Sequence, residues 1–307
     1  MKKISIIIPV YNEEKSVAEL HGEIKAVMDK LAYAYEIIFI DDGSSDGTLT
    51  ELKKLVPVKV LSFTRNFGKS QALQAGFRQA TGDYVITMDG DLQDDPADIN
   101  NFIKLLEGGS DLVCGWKHNR QDSFNKRFVS LIANGVTKYF TKTTVHDMDC
   151  CYKGYKSEVV KRLNLFGDMH RYIPAIVSDL GFCVSEVKVN HRPRKFGKTK
   201  YGFKRLFNGL FDFMTLLFLR RFTDRPMHFF GLYGLIFSFA GFVILLYLSW
   251  IKIFQGALIG GRPLLFLGVL LLLVGMQSFT MGFLGELLIR QGSPDKKNYI
   301  IKEIIDN

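Results

Sequence analysis

The run Tyr84-Val85-Ile86-Thr87-Met88-Asp89-Gly90-Asp91-Leu92-Gln93-Asp94 decides the fold. Its first half is a short, β-rich apolar stretch and its second half is acidic, so a buried strand gives way abruptly to a hydrogen-bonding loop. Three earlier stretches repeat the pattern. Ile4 to Val10 leads into Tyr11-Asn12-Glu13, Glu36 to Ile40 into Asp41-Asp42-Gly43-Ser44-Ser45-Asp46-Gly47, and Val58 to Phe63 into Arg65-Asn66-Phe67-Gly68-Lys69. Helix-like stretches separate them, Glu13 to Leu31, Thr48 to Leu55 and Gln71 to Ala80. This βαβαβαβ alternation predicts an α/β domain with a mostly parallel, Rossmann-like sheet covered by helices on both faces. In such sheets ligands bind beyond the carboxyl ends of the strands, so four consecutive strands aim polar groups at one crevice.

Asp89-Gly90-Asp91 places two carboxylates around one small residue. Both can reach a divalent cation while the glycine lets a diphosphate approach, and Mg²⁺ or Mn²⁺ prefers such hard oxygen ligands. The Asp41 to Thr48 stretch has two readings: a turn with a helix N-cap, or, through Asp42, an acceptor for the base or ribose of a nucleotide. Arg65 and Lys69 read either as surface charges or as cations facing a diphosphate. A bland explanation at each of four successive strand ends is jointly improbable.

Beyond the fourth strand lie a second acidic cluster, His146-Asp147-Met148-Asp149, and a strand expected near Cys183 to Val189. The chain then turns basic. From Arg192 to Arg225 ten Lys or Arg stand against Asp212 and Asp224, a local +8 within a chain of formal charge +9, and such a patch wants phosphate or acidic lipid headgroups. From Phe203 the apolar residues Leu206, Phe207, Leu210, Met214 and Leu217 follow at helical spacing, which reads as an interfacial amphipathic helix, with an ordinary core helix as the alternative. Phe229 to Ile251 and Leu264 to Gly285 carry no charge, and about 20 apolar residues span a bilayer. The expected organisation is a cytoplasmic catalytic domain over 1–202, an interfacial helix over 203–227, two spans within 228–290 and a tail over 291–307. Arg220, Arg221, Arg225, Arg290, Lys296 and Lys297 outnumber Lys252 and Arg262 of the connecting loop, which predicts a hairpin with both termini in the cytoplasm. The first residues lack the h-region of a signal peptide, in keeping with that orientation. Glu286 near the inner end of the second span reads as an interfacial contact. Cys114, Cys150, Cys151 and Cys183 show no zinc-type spacing and read as reduced thiols.

Taken together, Pro9-Val10-Tyr11-Asn12-Glu13-Glu14, Asp41-Asp42-Gly43-Ser44, Arg65-Asn66-Phe67-Gly68-Lys69 and Met88-Asp89-Gly90-Asp91-Leu92-Gln93-Asp94 resemble the sequential motifs of the family 2 glycosyltransferases with the GT-A fold. The whole chain is similar to their polyprenyl-phosphate branch: the bactoprenol glucosyltransferases, undecaprenyl-phosphate aminoarabinose-type transferases and dolichol-phosphate mannose synthases. Asn119-Arg120-Gln121-Asp122-Ser123 and the segment from Arg194 to Tyr201 share in the likeness. The resemblance implies a nucleotide-sugar donor, a UDP-sugar before a GDP-sugar, and a polyprenyl phosphate acceptor at the membrane. It places Pro9, Tyr11, Glu13 and Asp42 around the nucleoside, counts Asn12, Asp41, Arg65 and Lys69 among the donor-binding residues, and gives the metal and diphosphate to Asp89 and Asp91 with Gln93 nearby. It makes Arg120, Arg127, Arg194, Lys198 and Lys200 candidates for the acceptor phosphate. Relatives also suggest self-association. Many of them carry an Asp-Asn-Thr-Gly-Asp-Phe-Arg-like stretch where this chain has Asp147-Met148-Asp149-Cys150-Cys151-Tyr152-Lys153, so the second acidic position is Cys151 and the catalytic base falls to Asp147 or Asp149.

Two other readings have less behind them. A processive polysaccharide synthase would carry a Gln-x-x-Arg-Trp motif, but the tryptophans here are Trp116 and Trp250, neither in that setting. A non-catalytic sugar-nucleotide scaffold has no need of both Asp89 and Asp91. A nucleic-acid partner is not expected, since the basic segment abuts the spans and lacks a recognition module.

Overall fold

A computed structural model describes residues 2–117, 145–193, 195, 214–215, 218, 222, 225–256 and 258–292. The chain divides into two compact units, Met1–Met214 and Thr215–Asn307. In the first, the strands are β1 (Lys3–Val10), β2 (Ala34–Asp41), β3 (Lys59–Ser62), β4 (Tyr84–Thr87), β5 (Leu112–Lys117), β6 (Lys153–Lys156) and β7 (Val184–Val189). Between them run α1 (Val17–Met28), α2 (Thr48–Leu52), α3 (Lys69–Gln79), α4 (Ile99–Glu107), α5 (Ser157–Arg162) and α6 (Ile173–Asp179). The strands and helices expected over Ile4 to Met88, and the strand near Cys183 to Val189, are present, with ends that differ from expectation by a few residues in either direction.

The sheet order is β3-β2-β1-β4-β6-β5-β7. The chain builds outward from β1 to β3, returns across β1 to β4, and so reverses its winding between β1 and β4, the position where α/β sheets open a ligand crevice. Only β6 among these strands runs antiparallel to its neighbours. This is a consequential exception. Lys153 of β6 pairs with Thr87 of β4, so the residues entering β6 arrive at the same end of the sheet as the residues leaving β4.

One face of β1 contributes Ile4, Ile6, Ile8 and Val10 to a core shared with Leu20, Ile24 and Met28 of α1 and Phe102 and Ile103 of α4. Burying each such aliphatic side chain stabilises by about 1.5–3 kcal/mol, which fixes the central strands and holds the loops at their ends in register. At the opposite end of the sheet Glu36 accepts hydrogen bonds from Ser5 Oγ, from Thr81 N at 2.8 Å and Thr81 Oγ1 at 2.9 Å, and pairs with Lys3 Nζ at 3.1 Å.

In the second unit α7 (Pro226–Gln255) and α8 (Pro263–Gly292) are long and apolar enough to cross a membrane, and 11% of the most apolar window of each is buried within the protein. Both run past the charge-free windows in the sequence. They pack through small residues: a Cβ on Gly275 would lie 2.2 Å from Ser238 Oγ, and one on Gly241 2.7 Å from the Gly268 carbonyl oxygen. Leu235, Phe239, Leu246, Leu270 and Phe283 remain exposed, as helices with a lipid surround would have them. Of the expected interfacial stretch 203–227, Met214, Thr215, Phe218 and Phe222 are described and helical, and Pro226 already begins α7.

Burial pulls the Glu36 carboxyl up, but Ser5, Thr81 and Lys3 outweigh it and bring it down to about 2, below its ordinary 4.5. A depressed carboxylate stabilises the fold above its unfolded value and loses that contribution as pH falls through the folded value, here between about 4.5 and about 2. Glu36→Gln should therefore lower unfolding free energy by about 1–3 kcal/mol at pH 7. Urea titrations of the full chain in detergent should show the deficit closing toward pH 2; a deficit independent of pH would contradict this.

Candidate active site

The loops after β1, β2 and β3 are tied to one another. Asn12, at φ 56°, sits in the left-handed region that asparagine tolerates, which turns its backbone N–H toward Ser44 Oγ at 2.9 Å. Its Oδ1 accepts the Ser45 N–H at 2.8 Å, and the Glu13 N–H donates to Thr48 Oγ1 at 2.8 Å. Asp41 takes the Ser44 N–H and the Ser62 hydroxyl, both at 3.0 Å. Asp42 accepts the Phe67 N–H at 2.7 Å and the Gly68 N–H at 3.0 Å, holding the third loop against the second. Burial raises the Asp42 carboxyl above its ordinary value against the pull of those two amides. Asn12, Asp41 and Asp42 thus have a bracing role that sequence alone does not reveal, while the lone pairs that these bonds leave on Asp42 can still receive a ligand. The Arg65 guanidinium lies 4.7 Å from the centre of the Phe67 ring at the exposed rim of the same loop.

The acidic loop after β4 lies against β1. A Cβ on Gly90 would come within 2.6 Å of Val10 Cγ1, so only glycine fits the close approach of the two chain segments. Lys69, the first residue of α3, reaches Asp89 Oδ1 at 2.5 Å. Burial pulls the Asp89 carboxyl up, but Lys69 in contact and Lys117 nearby overcome it and hold Asp89 well below the usual carboxylate range. Asp91 is 8% exposed and accepts the Gln93 N–H at 3.2 Å. Asp94, fully buried, accepts the Asp89 N–H at 3.0 Å and pairs with Lys117 at 3.3 Å. The segment after β7 closes over this loop: His191 bridges Asp94, the Gln93 amide lies 3.3 Å from His191 Nε2, and Arg192 pairs with Glu23 at 2.7 Å and Asp95 at 2.8 Å.

Entry into β6 supplies the remaining wall. Cys151 falls beside the Lys69–Asp89 pair and interacts electrostatically with both. Burial, and then Asp89, push its thiol up to about 12, so the group at this position is neutral where a carboxylate would be charged. Lys153, fully buried, donates to the Met148 carbonyl at 3.2 Å and to the Cys150 carbonyl, clamping the loop that carries the two remaining acidic candidates. Asp147 is buried, whereas Asp149 is half exposed and pairs with Arg171 at 3.6 Å.

The structure therefore brings Lys69, Asp89 and Cys151 together, with Asp91 and Gln93 on the same loop as Asp89, and directs Asp149 to Arg171. Arg120, Arg127, Arg194, Lys198 and Lys200 lie outside the described residues. Asp94, Lys117, His191 and Arg171 join the site without having been singled out. Asp94 stood within the quoted acidic motif, but Lys117 and His191 are lone polar residues whose place appears only once β5 and β7 are set beside β4.

Residues 5–163 match the model of a family described as glycosyl transferase family 2. The chain belongs to that family. It is a glycosyltransferase, and its first unit has the GT-A fold. Among curated proteins it is 38% identical, over 99% of its length and 94% of the relative's, to the dodecaprenyl-phosphate galacturonate synthase of Rhizobium johnstonii. It is 32% identical to the undecaprenyl-phosphate 4-deoxy-4-formamido-L-arabinose transferase of Serratia proteamaculans, over 94% of this chain and 89% of that one. Among solved structures, glucosyl-3-phosphoglycerate synthase from Mycobacterium tuberculosis, in complex with Mn²⁺, uridine diphosphate and phosphoglyceric acid, superposes with a TM-score of 0.57. That likeness, at 20% identity over 71% of this chain and 78% of the other, is one of fold.

Removing the Asp42 carboxylate strands two loop amides, a loss of about 1–3 kcal/mol. Asp42→Ala should lower thermal stability accordingly and speed amide exchange at Phe67 and Gly68; unchanged exchange at those two amides would contradict the bracing role.

Proposed function

We propose that this glycosyltransferase moves a sugar from a nucleotide-sugar, a UDP-sugar by preference, to a polyprenyl phosphate such as undecaprenyl phosphate at the cytoplasmic face of the membrane. The observation that carries the proposal is the likeness to two polyprenyl-phosphate sugar transferases along nearly the entire chain, its two long apolar helices included. Residues 1–202 are the catalytic domain, 203–227 lie at the interface, the hairpin within 228–290 anchors the chain, and both termini face the cytoplasm.

Asp89 and Asp91 offer hard carboxylate oxygens and Asp89 is held ionised, which suits Mg²⁺ or Mn²⁺. Among the described residues no cluster of three or more Asp, Glu, His or Cys is arranged to enclose an ion. Two protein ligands with diphosphate and water completing the shell is the usual arrangement for such a cation. When bound, the ion stabilises the charge of the departing nucleoside diphosphate. Pro9, Tyr11, Asn12, Glu13, Asp41 and Asp42 form the nucleoside side of the crevice; Arg65, Lys69 and Gln93 face the donor. Lys69 keeps Asp89 ionised and aimed, and Gly90 leaves the loop free of a side chain where the diphosphate approaches.

A phosphate monoester has a second pKa of about 6, so the acceptor is already largely ionised near neutral pH and needs no strong general base. The neutral Cys151 is compatible with that chemistry, and Asp147 and Asp149 are left to orient groups rather than to take a proton. Arg120, Arg127, Arg194, Lys198 and Lys200 draw the acceptor phosphate toward the donor and lower the repulsion between two anions. The step is a single in-line displacement with inversion at the anomeric carbon.

Native protein in detergent should transfer radiolabelled sugar from one member of a panel of UDP- and GDP-sugars to undecaprenyl phosphate only when Mg²⁺ or Mn²⁺ is added, and Asp91→Ala should lower the rate by about 100-fold or more. Transfer that ignores both the metal and Asp91 would overturn the proposal.

A further inference from the structure

The described residues contain one buried ion pair that the mechanism above does not use. Lys117 ends β5, with 11% of its side chain exposed, and its partner Asp94 is fully buried on the loop after β4. The two meet across β6, which lies between their strands in the sheet. Each oxygen of Asp94 has a separate task. Oδ2 accepts the Asp89 backbone N–H at 3.0 Å, which sets the course of the chain at the first aspartate of the metal loop. Oδ1 takes no hydrogen bond of good geometry, so Lys117, 3.3 Å away, is the group that neutralises it. An ionised carboxylate without that counter-charge would be a buried, unpaired charge, which a protein interior does not support.

We propose that Lys117 is a positioning residue for sugar transfer: by neutralising buried Asp94 it lets that carboxylate hold the Asp89 backbone, and so keeps the Asp89-Gly90-Asp91 loop shaped for metal and diphosphate. The inference rests on the reading of that loop as the metal and diphosphate site. Lys117 touches neither ligand, so its effect travels through Asp94. Opposite charge, rather than side-chain length, is what the pair requires.

The test is a double-mutant cycle in the full chain, read as rate of sugar transfer, as the Mn²⁺ concentration giving half-maximal rate, and as Mn²⁺ affinity in the presence of UDP measured without turnover by electron paramagnetic resonance. Lys117→Met should lower the rate at limiting metal by about 30-fold or more and raise the half-maximal metal concentration by about tenfold, with saturating metal recovering part of the loss. Lys117→Arg should stay within about threefold of native protein. Joining Asp94→Asn to Lys117→Met removes both charges, leaves an amide oxygen for the Asp89 N–H, and should be at least about tenfold more active than Lys117→Met alone. A general packing role would lower the rate without moving the metal requirement. Metal dependence in Lys117→Met equal to that of native protein, or a double variant no better than the single one, would overturn the inference. If Lys117→Met does not accumulate as folded protein, the double variant against Asp94→Asn decides: Asp94→Asn alone strands the lysine and should be the weaker of the two, and the reverse order would overturn the inference. Native protein without metal-dependent transfer would instead remove the reading of the loop on which the inference rests.

Discussion

The constraint on which the site depends is that several carboxylates must stay ionised in a crevice that is partly closed to water. Burial opposes this at Asp42 and at Asp89. The structure meets it with fixed cations: Lys69 at the start of α3 against Asp89, and Lys117 at the end of β5 against Asp94. The two lysines come from elements on opposite sides of β4 and converge on a loop of a few residues. An exposed pair of this kind would contribute little, whereas a partly buried one sets which charges can exist at all.

Topology explains why the cations can converge. The winding reversal between β1 and β4 opens the crevice, and Gly90 allows the acidic loop to lie directly on Val10. The antiparallel insertion of β6 then brings Cys151 and the Lys153-clamped loop to the same end of the sheet. A fully parallel continuation would have sent the start of β6 to the far end. The neutral thiol therefore occupies a place that the strand direction dictates, and its neutrality agrees with an acceptor that arrives already ionised.

Much of this was legible in the sequence, for a physical reason. Four apolar runs of strand length, each followed by polar residues, define both the parallel half of the sheet and the end at which the crevice lies. The two charge-free segments marked the long apolar helices as plainly. The geometry of pairing was not legible. Nothing in the sequence around Lys117 says that it will meet Asp94, because the meeting requires β6 to insert between β5 and β4. Nor does the sequence say that Asp42 also takes the Phe67 and Gly68 amides, or that Asp149 lies beside Arg171. Side chains that act on other loops, rather than on a ligand, leave no periodic or spacing signal.

The central claim is that the sugar passes in one displacement from the nucleotide to a lipid phosphate, with no covalent stop on the protein. The anomeric configuration of the product tests it most directly. With an α-linked nucleotide-sugar as donor, NMR coupling at the anomeric proton of the purified lipid phosphosugar should report a β linkage. An α linkage from the same donor would mean retention, and would contradict a single displacement at this site.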